Sequence, residues 1–150
     1  MTQAAADTTL TESAARLRMA IVRTSRRLRQ EAAGAAGELT PTLAAALATV
    51  ERHGPLTPSE LAEIERVKRP TATRTLRVLT EAGLAARTPD PEDGRSALVS
   101  ITTAGRDRLR RLRGRKNAYL ARRMRELPAA DLEILDRAAE ILEGILEERQ

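Results

Sequence analysis

Apolar positions along the chain fall into helical rhythm in several stretches and into short strand-like runs in two. Between residues 10 and 33, Ala14, Leu17, Ile21 and Leu28 recur three, four and seven apart, one stripe of a helix. Arg16, Arg18, Arg23, Arg26, Arg27 and Arg29 take its other face. Residues 1–9 are small and polar and are expected to form a frayed tail. Ala33-Gly34-Ala35-Ala36-Gly37 breaks the helix. Thr40 can cap a second helix, whose first position suits Pro41. Leu43, Leu47 and Val50 form its apolar face until His53-Gly54-Pro55 stops it.

Thr57-Pro58-Ser59-Glu60 reads as a capping box with proline in the first turn. The helix it opens, Ser59 to about Ile64, is short, with Leu61 and Ile64 expected to face inward. A turn at residues 65–68 leads to Pro70, again suited to a first helical position. The fourth helix continues to about Ala82 with Ala72, Leu76 and Leu79 on one face, and Gly83 ends it. Two short helices joined by a tight turn are a helix-turn-helix. Residues 84–88 and 97–101 are strand-like and flank a polar loop, Pro89-Asp90-Pro91-Glu92-Asp93-Gly94-Arg95-Ser96. Thr102 or Thr103 then caps a fifth helix to about Leu127. A sixth follows Pro128, with Leu132, Leu135, Ala139, Leu142 and Leu146 in helical spacing. The expected fold is mainly α with a small β-hairpin wing, without internal repeat or interdomain linker.

Composition sharpens this picture. At 150 residues, 41% apolar and 31% charged, the chain suits one domain of ordinary size. Tyr119 is the only aromatic residue, so the core must be Leu, Ile, Val and Ala, which favours close-packed helices. A net charge of +5 makes polyanions the first partners to consider. The absence of cysteine excludes disulfides, thiolate zinc sites and thiol redox sensing. The N-terminus lacks the pattern of a signal peptide, and 18 apolar residues never run together. A cytoplasmic protein with no membrane partner is expected.

Three constellations bear on function. Between Arg66 and Arg77 stand five basic residues, Arg66, Lys68, Arg69, Arg74 and Arg77, and no acidic one. Thr71, Thr73 and Thr75 are interleaved with them. Arginine reads guanine bidentately and threonine meets phosphate or a thymine methyl, so this helix suits a major groove. In the hairpin loop, Asp93-Gly94-Arg95 puts an arginine at a tip, where a minor groove would attract it. Asp93 could orient Arg95 or pair with Arg87 across the hairpin. Finally, residues 106–116 hold seven basic side chains against Asp107, while residues 126–150 hold eight acidic and two basic ones. The first and last helices keep apolar faces beyond what a winged core uses, which points to a helical dimer interface, with an intramolecular bundle as the alternative. Catalysis has no support: His53 reads as a helix terminator, no nucleophile has a base, and no cofactor or metal is expected.

From Leu61 to Gly105 the sequence resembles the MarR family of winged helix-turn-helix regulators. The matching residues are Leu61-Ala62, Val67, Pro70-Thr71, Thr73-Arg74, Leu79, Gly83-Leu84, Asp90-Pro91, Asp93-Gly94-Arg95-Ser96, Thr102 and Gly105. The resemblance implies one domain over 1–150, with residues of about 10–33 and 103–150 for dimerisation and about 38–102 for DNA. It further implies a homodimer on a palindromic operator, usually a repressor, released when a small anionic or phenolic ligand enters a crevice. By position, Lys68, Arg69, Pro70, Thr71, Thr73, Arg74 and Arg77 would face the major groove or its phosphates. Arg95 would enter the minor groove, with Asp93 and Arg87 supporting it. Two departures stand out: Lys68 sits where the family often has a Ser or Asp cap, and the absence of cysteine rules out the branch of the family that senses peroxide through a reactive thiol. The scarcity of aromatics also implies an aliphatic, arginine-edged effector site. A non-specific architectural DNA binder and a helical protein-interaction module are the alternatives.

Overall fold

The computed structural model of the chain describes residues 2–32, 39–91 and 96–146. Two compact units follow one another along the chain, residues 1–116 and 117–150.

In the first unit, α1 is Thr2–Ala32. The expected frayed tail is instead helical from Thr2, since small and polar residues without a breaker can prolong a helix that is already nucleated. The glycine-rich stretch 33–37 lies outside the described residues. Helix α2, Pro41–His53, opens as expected: the Thr40 hydroxyl accepts from the Leu43 amide at 3.3 Å and Pro41 starts the first turn. Helix α3, Pro58–Ile64, carries the complete capping box. The Glu60 amide donates to the Thr57 hydroxyl at 3.2 Å, and the Thr57 amide donates to the Glu60 carboxylate at 2.6 Å. Helix α4 is Arg69–Glu81. It ends in a Schellman motif: the Leu84 amide donates to the Leu79 carbonyl and the Gly83 amide to the Thr80 carbonyl, both at 2.9 Å. This closure needs the left-handed φ of +70° that Gly83 adopts.

Strands β1, Ala85–Pro89, and β2, Ala97–Ile101, pair antiparallel from Ala85 opposite Ile101 to Pro89 opposite Ala97. Leu56 bridges the free edge of β2, exchanging both backbone hydrogen bonds with Val99 at 3.0 and 2.8 Å. Helix α5, Thr103–Met124, follows directly. At its start the Thr102 hydroxyl accepts from the Gly105 amide, which settles the cap on Thr102 and not Thr103.

The core gathers Leu47 and Val50 of α2, Leu61 of α3, Leu76 and Leu79 of α4, Val99 of β2 and Leu109 of α5, with Leu56 between them. It holds no aromatic side chain, as composition required. Each buried leucine contributes on the order of 1.5–3 kcal/mol. One inward and one outward expectation change. Ile64 is 45% exposed, because α3 stops there and the chain turns away, and Ala62 is buried in its place. Thr75 is buried at 9% exposure and sits on the apolar stripe of α4.

In the second unit, α6 is Ala129–Leu146. Leu132 and Leu142 are half-buried, whereas Leu135 is exposed. Ile134, Ile141 and Ile145, seven and four apart, form an exposed aliphatic stripe along α6. The Tyr119 ring lies 5.6 Å from the Arg122 guanidinium and 5.8 Å from that of Arg123. Among the described residues, no helix is long and apolar enough to cross a membrane.

Candidate nucleic-acid interface

Helices α3 and α4 are joined by a turn that pins the second helix against the first. The Val67 amide donates to the Ala62 carbonyl at 2.9 Å, closing α3. Arg66 makes the reversal possible by adopting a left-handed φ of 52°, a conformation that L side chains resist. Lys68 then starts α4 without any side-chain cap. Its carbonyl still receives the Thr71 and Ala72 amides, at 2.9 and 3.2 Å.

Along α4 the buried residues Ala72, Thr75, Leu76 and Leu79 define one face. The opposite face is exposed and basic. Arg69, Pro70, Thr73, Arg74 and Arg77 line one shallow groove on it, and Thr71 is exposed beside them. Expected site residues from α4 thus share one surface. Thr75 does not join them: its place on the stripe, three residues after Ala72 and one before Leu76, was the available signal. The Thr73 hydroxyl donates to the Arg69 carbonyl at 3.0 Å, which leaves its methyl and lone pairs outward.

The charges of this face are largely uncompensated. Among the described residues, Lys68, Arg69 and Arg74 have no carboxylate partner, and Arg77 meets Glu81 only at 3.9 Å with both side chains exposed. Such a contact contributes little. The positive end of the α4 helix dipole, with no acidic side chain in its first turn, lies at the same end. Nearby, Glu60 is held below the usual glutamate range, first by the Thr57 amide and then by the Thr57 hydroxyl.

Arg87 is exposed on β1 opposite Val99, midway along the hairpin ladder. Asp93 and Arg95, with Glu92 and Gly94, lie outside the described residues. At the last described step of the loop the Asp90 amide donates to the Ser96 carbonyl at 3.2 Å.

A second shallow groove at the helix-turn-helix is lined by Ser59, Glu63, Arg66, Val67 and Arg69. Ser59 and Arg66 were not among the expected site residues. The basic run that includes Arg66 was the only hint in sequence, and the position of Ser59 in a capping box masked it.

This surface is built to meet a polyanion. Among the described residues no group of three His, Cys, Asp or Glu could hold a metal ion. The model of the MarR family matches residues 39–97. An HTH-type transcriptional regulator of Mycobacterium bovis is 33% identical over 132 residues, 88% of this chain and 91% of that protein. A transcriptional regulator from Pseudomonas aeruginosa superposes with a TM-score of 0.82 at 30% identity, covering 93% of this chain and 96% of its own. A MarR family protein from Bacillus stearothermophilus superposes with a TM-score of 0.79 at 19% identity, covering 95% and 98%. An uncapped, cation-lined second helix in a winged frame and a relative matched along nearly its whole length agree: the chain belongs to the MarR family of DNA-binding transcriptional regulators, which are not enzymes.

Proposed function

We propose that the chain is a homodimeric, cytoplasmic repressor that reads a palindromic operator and lets go of it when a small anionic or phenolic ligand binds. The observation that carries the DNA-reading part is the face of α4, where Arg69, Arg74 and Arg77 surround Thr73 with almost no compensating carboxylate. In this reading Arg69, Thr71, Thr73, Arg74 and Arg77 reach base edges and phosphates of the major groove. Lys68 and Pro70 set the helix start against a phosphate. Arg95 enters the minor groove, Asp93 orients it and Arg87 contacts the flanking backbone.

Dimerisation is supported by exposed aliphatic side chains that a lone chain would leave in water: Leu10, Leu17 and Ile21 on α1, and Ile134, Ile141 and Ile145 on α6. Residues of about 10–33 and 103–150 would serve this contact, and about 38–102 the DNA. Two copies would place their α4 helices in half-sites ~10 bp apart.

The test is a binding titration against DNA from immediately upstream of the gene, beside scrambled DNA, at two salt concentrations. Saturable binding to the upstream fragment alone, weakening steeply with salt, is expected. Equal affinity for both fragments would make the protein an architectural binder. No binding to either would leave an interaction module.

A further inference from the structure

Five residues border the shallow groove along the outward face of α4: Arg69, Pro70, Thr73, Arg74 and Arg77. Arg69, Thr73 and Arg77 follow one another at four-residue intervals. Each interval rises about 6 Å along the helix axis, close to two base-pair steps of about 3.4 Å. Thr73 therefore stands between two arginines along the axis, with Arg74 next to it in sequence.

The hydrogen-bonding capacity of this face is one-sided. The sequence of α4, RPTATRTLRVLTE, holds neither asparagine nor glutamine, and its one acidic residue, Glu81, comes last. Arginine only donates. Guanine presents two acceptors, O6 and N7, to the major groove and takes both from one guanidinium. Adenine presents an acceptor beside a donor, which asks for an amide side chain, and cytosine presents a donor, which asks for a carboxylate. Arg69 and Arg74 have no carboxylate partner among the described residues, so no ion pair has to break before either turns to a base.

Thr73 adds a contact of another kind. Its hydroxyl proton is spent on the Arg69 carbonyl at 3.0 Å, so toward DNA it brings no donor and presents its methyl group. The C5-methyl of thymine is the apolar feature of the major groove, and 5-methylcytosine carries the same group. Thr75, which follows Arg74, is buried and takes no part.

We infer that each α4 selects a guanine beside a 5-methylpyrimidine, Arg74 taking the guanine and Thr73 the methyl group. A second guanine, about two base pairs from that methyl, faces Arg69 or Arg77. The inference rests on the reading of the chain as an operator-binding regulator and specifies the bases of the half-site. Selection by the intact protein from random duplex DNA, followed by titrations on the selected duplex with single altered bases, tests it. The enriched motif is expected to contain a guanine next to a thymine. A deazaguanine that lacks N7 but still pairs should weaken binding about tenfold at that position, and the loss should vanish in Arg74→Ala. Deoxyuridine in place of the thymidine should weaken binding about fourfold, as for one methyl group, and the loss should vanish in Thr73→Ser. With cytosine at that position, methylation at C5 should strengthen binding about fourfold, which tells the two methylpyrimidines from their bare counterparts.

An enriched motif without guanine, a deazaguanine loss that persists in Arg74→Ala, or equal binding of thymidine and deoxyuridine would overturn the assignment while the operator reading survives. A selection that enriches no motif would remove the operator reading and the base assignment together.

Discussion

The Thr102 hydroxyl donates to the carbonyl of Gly83 at 2.7 Å and accepts from the amide of Gly105 at 3.1 Å. One side chain thereby satisfies the residue that ends α4 and an open amide of α5. Thr102→Val should lower stability by about 1–2 kcal/mol, the loss of a partly buried cap and of one exposed bond. Thr102→Ser should restore most of it. Urea unfolding of the three proteins checks this, and coincident midpoints would show that water replaces the hydroxyl.

The outward face of α4 should separate base readers from phosphate holders. Arg74→Ala is expected to cost about 1–3 kcal/mol against the best operator and to relax preference at one base pair. Lys68→Ala should weaken all sequences alike and reduce the salt slope by about 0.9. Thr75→Val, on the buried face, should leave DNA affinity unchanged. Titrations on an operator and its single-base variants distinguish these outcomes, and a specificity change in the Thr75 variant would contradict its inward placement.

Arg66 holds a φ of 52°, which L residues with a branched β-carbon adopt poorly. Arg66→Val should therefore destabilise by about 1–2 kcal/mol, while Arg66→Asn should be nearly neutral. Thermal unfolding in the absence of DNA reads the difference. Equal melting of the Val and Asn variants would mean that the turn is free to relax.

The capping box makes a prediction in pH. Because its neighbours lower the Glu60 pKa in the folded state, the unfolded chain takes up its proton first as pH falls. The stability contributed is complete above the ordinary value of 4.5 and is lost as pH drops through the lowered folded value. The stability gap between the protein and its Glu60→Gln variant should be flat between neutral pH and about 5, then narrow on further acidification. Denaturation at several pH values measures it, and a gap that widens in acid would reverse the assignment.

Sequence made local signals readable and long-range ones only in part. Thr40-Pro41, Thr57 to Glu60 and Gly83 act within a few residues, and the structure uses each as anticipated. The stripe Ala72, Leu76 and Leu79 likewise follows from helical period alone. Leu56 was silent, because one apolar residue between Pro55 and Thr57 has no periodicity, and its bridge to the edge of β2 depends on Val99, far along the chain. Ile64 misled for the opposite reason: period three from Leu61 assumes a helix that continues, and this one ends there. The wing residues Asp93 and Arg95 remain a matter of their sequence motif.

A core without aromatic rings has an optical consequence. Tyr119, beside Arg122 and Arg123, is the chain's only near-ultraviolet chromophore, so residues 1–116 are dark at the wavelengths where proteins are usually watched. Intrinsic emission is then a site-specific probe of the second unit, supplied without labelling.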